Sequence, residues 1–367
     1  MRVFFTGGGT GGHLYPALAI ARALVRRLPE VQPHFIGATR GIERDILPTT
    51  EFPHTLLDLH PMYRSAPWRN WRTVVGLAAG VRAVARLARG DRPRLAVATG
   101  GYASSATLAW ALTHRVPFAI QDQNSFPGRT VSLFSRWAEE MYLGFPEAAR
   151  VLPARARARA VDTGNPIEPP PAQRPPRAEA RGGWGFGPEV TFTVLAFGGS
   201  QGSAALNALI DGWLNSGLPP KVGLIWSTGR SHFTRYASRG TAQVVVRPYL
   251  APISEAYAAA DVAITRAGAM TTAELCAWGI PMYLVPLPTA AEDHQTANAT
   301  VLAAAGAAQW IAERDATPTA LDVFVRSMVA SPARFEAASR AAHARARPEA
   351  SAVIAERLAA LLHQQGV

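Results

Sequence analysis

A chain of 367 residues is longer than one hydrophobic core ordinarily serves, so two domains are expected. A hydrophobic fraction of 48% and a charged fraction of 17% describe a globular protein with ample core, and no apolar run reaches the ~18 residues of a membrane-spanning helix. The net charge of +11 is carried almost wholly by arginine, Lys221 being the one lysine, and the single Cys276 excludes an intrachain disulfide and points to a reducing, cytoplasmic compartment.

The chain alternates short apolar runs with helical stretches. In the first half, strands are expected at Arg2–Thr6, His34–Gly37, Thr55–Leu59, Leu95–Ala98, Phe118–Gln121, Met141–Leu143 and near Ala160–Thr163. The helices between them include Tyr15–Leu28 and Trp68–Arg89. Arg155, Arg157 and Arg159 alternate like an edge strand. Pro166 to Pro188, with Pro169-Pro170-Pro171 and Pro175-Pro176, excludes continuous helix or sheet and reads as a linker. The second half repeats the alternation, with strands near Thr191–Phe197, Gly223–Ser227, Val244–Val246, Val262–Thr265 and Met282–Val285, and a last helix at about Ala350–His363. This is the pattern of an α/β protein with parallel sheets covered on both faces.

Two glycine-rich turns stand out, each where a buried strand meets a helix. Gly7-Gly8-Gly9-Thr10-Gly11-Gly12-His13 follows the first strand, and Gly198-Gly199-Ser200-Gln201-Gly202 follows Thr193–Phe197. At such turns backbone N–H groups and the positive end of the helix can face an anion, and glycine lets the backbone come close. The pair, one per half, suggests two similar domains serving one phosphorylated ligand. Gly7, Gly9 and Gly12 also fit the dinucleotide fingerprint. The second strand ends without an acid, although Arg40 could suit a 2′-phosphate, so an NADP-dependent oxidoreductase is the alternative reading. It gives the second turn no task.

A third constellation runs from Asp261 to Glu274, from a strand through a small-residue turn into a helix. Ala269, Met270, Thr271 and Thr272 would open that helix and offer N–H groups to a diphosphate. Glu274, one turn in, could accept from ribose hydroxyls or serve only as a helix-terminal carboxylate. Farther on, Glu292-Asp293-His294-Gln295 and Asn298-Ala299 form a polar cluster entering another helix.

Gly8 to His13, Gly100-Gly101-Tyr102, Gln123-Asn124, Gly164-Asn165-Pro166, Gly198 to Gly202, Arg266 to Glu274, and Asp293-His294-Gln295 through Asn298-Ala299 occur in the order seen in the MurG family. The chain resembles these bacterial undecaprenyl-pyrophosphoryl-muramoyl-peptide N-acetylglucosaminyltransferases over nearly its whole length. The resemblance implies a GT-B fold, two Rossmann-like domains with parallel sheets facing a central cleft. Residues 1–165 would be the acceptor and membrane domain, with a C-terminal helix at about 346–367 packing back on it. Residues 166–345 would be the nucleotide-sugar domain. The reaction implied is inverting transfer of GlcNAc from UDP-GlcNAc to the 4-hydroxyl of the muramoyl sugar of lipid I, giving lipid II for peptidoglycan.

By the same resemblance, the backbone at Leu250 would meet the uracil and Glu274 the ribose. Ser200 and the turn around it, with Ala269 to Thr272, would hold the diphosphate, and Ala273 belongs to the same substrate-binding stretch. Gln295, with His294 and Asn298, would read the GlcNAc hydroxyls. Thr10, Gly11, Gly12 and Asn124 would close on sugar and acceptor. Two positions depart from the family pattern: Glu168 stands where arginine is common, and Gln121-Asp122 where His-Glu is common. Inverting transfer needs a base for the acceptor hydroxyl and charge stabilisation for departing UDP. Helix N-termini can supply the latter. No Asp-x-Asp motif of the metal-nucleotide type occurs, so neither metal nor cofactor is expected. His13 is the leading base, unless it merely braces its loop, and Asp122 is the second.

Between Arg64 and Arg94 lie eight arginines and one acid, Asp91. Val74, Leu77, Val81, Val84 and Ala88 share a stripe expected to face the core. Away from it lie Trp68, Trp71, Val75, Arg82, Arg86 and Arg89, a composition suited to anionic headgroups. The expectation is a peripheral protein on the cytoplasmic face of the cell membrane. No recognition motif accompanies the charge, so nucleic acid is not an expected partner.

Overall fold

The computed structural model describes residues 1–62, 68, 70–199 and 201–364. It divides into two compact units, Met1–Glu168 with Arg347–Val367, and Pro169–Ala346. Each is built on one wholly parallel sheet with helices on its faces. Among the described residues no helix is long and apolar enough to cross a membrane.

In the first unit β1 (Arg2–Thr6), β2 (Gln32–Ala38), β3 (His54–Leu57), β4 (Leu95–Ala98), β5 (Phe118–Asp122), β6 (Glu140–Leu143) and β7 (Ala160–Asp162) lie in the order β3-β2-β1-β4-β5-β6-β7. Adjacent side chains of β1 go to opposite faces. Phe4 joins a core with Trp110 and Phe118, whereas Phe5 joins one with Leu14, Leu18 and Phe35. The second core is completed by the last helix, Ala350–Gln364, which contributes Ile354, Leu358 and Leu362 beside the first helix, Gly11–Arg27. Arg357 clamps it further through a bidentate pair with Glu140, at 2.6 and 2.7 Å.

In the second unit β8 (Phe192–Phe197), β9 (Val222–Ser227), β10 (Val244–Arg247), β11 (Val262–Thr265), β12 (Met282–Leu284) and β13 (Ala308–Trp310) lie in the order β10-β9-β8-β11-β12-β13. Strand order reverses beside β1 in one sheet and beside β8 in the other. Both glycine turns therefore leave their sheets at the point where ligands of doubly wound folds bind.

Four details differ from the sequence expectation. The proline-rich stretch contains a helix, Arg177–Gly183, which starts directly after Pro176, so no proline falls inside it. Arg181 on that helix pairs with buried Asp261 at 2.5 Å, fastening the stretch to the second unit. Arg155 and Arg157 lie in a helical turn, Ala154–Arg157, rather than on an edge strand. β13 is short and only partly apolar, and gave no strand signal.

The fourth concerns the helix Asn70–Leu87. Val74 is 67% exposed, not in the core. The inward face runs through Gly76, Gly80 and Val84. A methyl group at Gly80 would come within 2.9 Å of Ala106 and Leu59, and one at Gly76 within 2.9 Å of the Asp58 carbonyl. A line of glycines makes this contact, and a hydrophobic stripe search does not weigh glycine.

Candidate active site

In the first unit β1 ends at Thr6, and the chain turns through Gly9 at φ +88° into the first helix. Thr10 is its exposed N-cap, with extended backbone and no side-chain capping bond. The first helical bonds run from His13 N–H and Leu14 N–H to Thr10 O, so the N–H groups of Gly11 and Gly12 precede the ladder. They stand at the start of the helix, beside the Thr10 hydroxyl.

His13 lies in the first turn of that helix. Its Nδ1 is 2.9 Å from Thr99 O and 2.8 Å from Gln123 Oε1. Gln123 is oriented by its other end, where Nε2 donates to Thr99 O at 2.8 Å and to Gln121 Oε1. Both partners of Nδ1 are thus acceptors, which puts the proton of the neutral ring on Nδ1 and the lone pair on Nε2. Gln121 Nε2 donates to Asn165 Oδ1 at 3.1 Å, and Asn165 Nδ2 returns to Gln123 O at 3.0 Å. A buried row of amides therefore fixes the tautomer, and Gln121 belongs to it. The ring rests on Gly100 and Gly101, whose φ values are +91° and +76°. A methyl group on either would come within 3.2 Å of the imidazole.

Asp122 ends β5 and is buried. Its Oδ1 accepts from Asn124 N–H at 3.2 Å, whereas buried Oδ2 has no hydrogen-bond partner among the described residues. Burial pushes this carboxyl up to about 7, against the lowering effect of the Asn124 and Gln123 amides. Asn124 is half-buried beside it.

In the second unit Ser203 caps the helix Ala204–Asn215, accepting from Leu206 N–H at 3.2 Å and from Arg266 Nη2 at 2.7 Å. Buried Arg266 also donates to Val285 O and Pro286 O at 3.0 and 3.2 Å and pairs with Glu313. One guanidinium thus ties the turn after β8 to the ends of β11 and β12. Gly202, at φ +78°, lets that turn pass against the Thr228 carbonyl, which any side chain would strike. Ser200 lies outside the described residues.

The helix Ala269–Trp278 opens at Gly268. Thr272 N–H closes on Gly268 O at 2.9 Å, and its buried hydroxyl bonds back to Gly268 and Ala269 carbonyls, both at 3.1 Å. Thr272 is therefore spent on the helix. Ala269, Met270 and Thr271 form the first turn of the helix, with Ala273 one turn further in. Glu274, half-buried, receives the Tyr257 hydroxyl on Oε2 at 2.7 Å. Burial and the Glu274 charge hold the tyrosine neutral.

The polar cluster ahead of the helix His294–Ala304 is partly internal. Glu292 and Asp293 both take left-handed backbone, with φ 57° and 54°. His294 Nδ1 bonds Ala291 O at 2.5 Å, and burial lowers the pKa of its ring. Gln295 Oε1 accepts from Leu287 N–H at 3.0 Å, so its amide NH2 end is the one left to meet a ligand. Asn298 is fully buried and donates to Ala267 O at 3.2 Å. It braces the turn before Ala269. Leu250, buried after β10, follows half-exposed Tyr249, over whose ring Arg230 sits at 5.6 Å.

The sequence reading missed Thr99, Tyr257, Ser203 and the anchoring role of Arg266. Thr99 precedes Gly100-Gly101 and Arg266 opens a noted motif, so both were within reach. Nothing near Tyr257 marks it. For the oxidoreductase alternative, Arg40 is the residue offered to a 2′-phosphate, and it is paired with Asp58 at 3.2 Å.

Family models match most of the chain: the glycosyltransferase family 28 N-terminal domain over residues 3–143 and its C-terminal domain over residues 193–357. A protein of Desulforudis audaxviator named UDP-N-acetylglucosamine--N-acetylmuramyl-(pentapeptide) pyrophosphoryl-undecaprenol N-acetylglucosamine transferase is 36% identical over 360 residues, 95% of each chain. One of the same name from Porphyromonas gingivalis is 34% identical over 370 residues, covering 100% of this chain and 97% of the other. Among solved structures, MurG of Acinetobacter baumannii superposes with a TM-score of 0.76 at 26% identity, covering 98% and 99% of the two chains. The calicheamicin glycosyltransferase CalG4, at 16% identity and TM-score 0.70 over 99% and 98%, shares the fold.

Proposed function

Because the chain belongs to glycosyltransferase family 28, and within it to the MurG N-acetylglucosaminyltransferases, we propose that its two glycine turns divide the chemistry of one sugar transfer. The protein is a GT-B enzyme that transfers GlcNAc from UDP-GlcNAc to lipid I, forming lipid II. The oxidoreductase alternative has no support among these relatives.

In our reading residues 1–168, with the last helix, bind the acceptor, and residues 169–346 bind the donor. His13 Nε2 takes the proton of the muramoyl 4-hydroxyl as that oxygen attacks the anomeric carbon and the bond to UDP breaks. Asp122 is the second candidate for this task. Thr10, Gly11, Gly12 and Asn124 line the acceptor side. The amides of Ala269, Met270 and Thr271, with the turn around Ser200, spread the charge of the departing diphosphate. Glu274 holds the ribose, the backbone at Leu250 meets the uracil, and Gln295, with His294 beside it, reads the sugar. The observation that carries this reading is the pinned tautomer of His13. A product assay with UDP-GlcNAc and a lipid I analogue tests it directly, since no disaccharide product in the presence of both substrates would sink it.

Tyr257 orients Glu274, so this carboxylate is preset for ribose. Glu274→Ala is expected to weaken UDP binding by about 1.5–3 kcal/mol, the usual worth of hydrogen bonds to a charged group. Titration calorimetry on the folded variant measures this, and unchanged affinity would remove Glu274 from the site.

The helix Asn70–Leu87 and its surroundings fit an anionic membrane surface at the cytoplasmic face. Trp71, Val75, Ala78, Arg82, Arg86 and Arg89 recur three or four residues apart and are all exposed. Trp68 and Trp71 are 74% and 61% exposed, and Met62, touching Arg129, lies bare nearby. Apolar groups fill one half of this face and arginines the other. Each arginine near an anionic surface is worth ~1 kcal/mol and is screened by salt. Replacing Arg82, Arg86 and Arg89 with glutamine should therefore cut binding to anionic vesicles by roughly 100-fold or more. Turnover of a soluble short-chain acceptor should persist. Co-sedimentation at two salt concentrations measures the first effect. Binding indifferent to both mutation and salt would exclude this face.

A further inference from the structure

Beneath the first glycine turn lies a carboxyl group that neither the sequence motifs nor the proposed chemistry uses. Glu43 is fully buried. Its Oε2 accepts from Gly9 N–H at 2.9 Å and its Oε1 from Ala38 N–H at 3.1 Å. No cation lies within ion-pair distance of it among the described residues. Four glycines form its slot. A methyl group at Gly8 or Gly41 would overlap the carboxyl, one at Gly37 would come within 2.9 Å of the side-chain carbons, and Gly9 donates to it.

Two consequences follow. The Gly9 amide points inward, so any anion at this turn is met by the amides beyond it, at Gly11 and Gly12. The peptide at Gly9, at φ +88°, is held from below while the helix bearing His13 starts two residues later. Without an acceptor at that point the turn would have an inward-pointing, part-buried amide unpaired and its conformation undetermined.

We propose that Glu43 is a positioning residue of the transfer reaction, holding the Gly7–Gly12 turn so that His13 and the Gly11 and Gly12 amides face the acceptor. This rests on the reading that the first turn serves the acceptor. The carboxyl does not touch substrate. It acts through the Gly9 and Ala38 amides, which are caught by different oxygens. An amide side chain of the same shape can accept only one of them and opposes the other with its own N–H groups.

The test is Glu43→Gln in the full-length enzyme. The expected kcat is roughly 10- to 100-fold lower, the cost of misplacing a catalytic group by about an ångström. Affinity for UDP-GlcNAc should be unchanged by calorimetry. Hydrogen exchange should quicken in residues 7–13 and at Ala38, and not in β1, β4 or the rest of β2. Gly41→Ala, whose added methyl displaces the carboxyl from its seat, should reproduce this. The double variant should be no worse than the worse single one, because both release the same contact.

Turnover of Glu43→Gln within about twofold of wild type overturns the proposal, as does a double variant whose losses multiply. Exchange that quickens throughout the sheet assigns Glu43 to stability alone and overturns it too. If His13→Ala keeps its turnover while Glu43→Gln loses it, the role of His13 fails and the hold of Glu43 on the turn stands.

Discussion

Replacing His13 with alanine is expected to lower kcat by about 10²-fold or more, the ordinary worth of a positioned general base. UDP-GlcNAc affinity should stay within a few-fold, because most of the residues assigned to the donor belong to the other unit. The argument is geometric. Thr99 O and Gln123 Oε1 both demand a proton from Nδ1, at 2.9 and 2.8 Å, so Nε2 carries the lone pair before any substrate arrives. As the ring takes up the acceptor proton, the same two oxygens stabilise the cation on its far side. Gln123→Leu removes one of them without touching Nε2 and should cost less than His13→Ala. Single-turnover measurements separate these effects from product release. Near-normal turnover in His13→Ala would move the base to Asp122 or dispense with a protein base.

Asp122 gives the second large effect, and it is one of stability. Its folded-state carboxyl titrates near 7, raised by burial, whereas in the unfolded chain it would titrate at an ordinary carboxyl value of about 3.9. The folded state therefore binds the extra proton between those values. The favourable contribution is complete below about pH 4, declines as pH rises, and is lost once pH passes 7. Three units correspond to about 4 kcal/mol. Asp122→Asn keeps the shape and stays neutral at every pH. The variant should therefore gain on the wild type by up to about 4 kcal/mol between pH 4 and pH 8. Urea unfolding at several pH values measures this, and a difference independent of pH would show that Asp122 is not buried as charge. If His13 is the base, Asp122→Asn loses less than ten-fold in turnover at pH 8, roughly one kcal/mol of barrier.

Most of the fold was legible because parallel strands buried on both faces announce themselves as short apolar runs. Twelve of the strands lie where such runs occur. β13, with Gln309 at its centre, has no such run. The proline-rich stretch misled for a related reason. Prolines forbid helix only at and just before their own positions, and residues 177–183 fall clear of them. In the helix Asn70–Leu87 the apolar periodicity pointed to Val74, but close approach at Gly76 and Gly80 decides which side faces inward.

The site was legible where backbone does the work, since glycine turns and helix openings leave a signature in residue type. It was illegible where a side chain reaches another element distant in sequence. Glu43 lies 34 residues from the Gly9 amide it meets, and Tyr257 lies 17 from Glu274. Spacing of that kind carries no period. Thr272 shows the converse: its N–H, expected from the pattern to be offered at the helix opening, closes the first turn on Gly268 O, and its hydroxyl bonds back to the same turn.

The helix Ala350–Gln364 also bears on how the polypeptide acquires its structure during synthesis. Residues 169–346 are contiguous and can close their core while the ribosome is still at work. The first unit cannot. Ile354, Leu358 and Leu362, which seal the core around Leu14, Leu18 and Phe35, emerge only after residues 169–346. The unit begun earlier is therefore finished later, and the core around Phe5 waits for part of its cover through the whole translation of its neighbour.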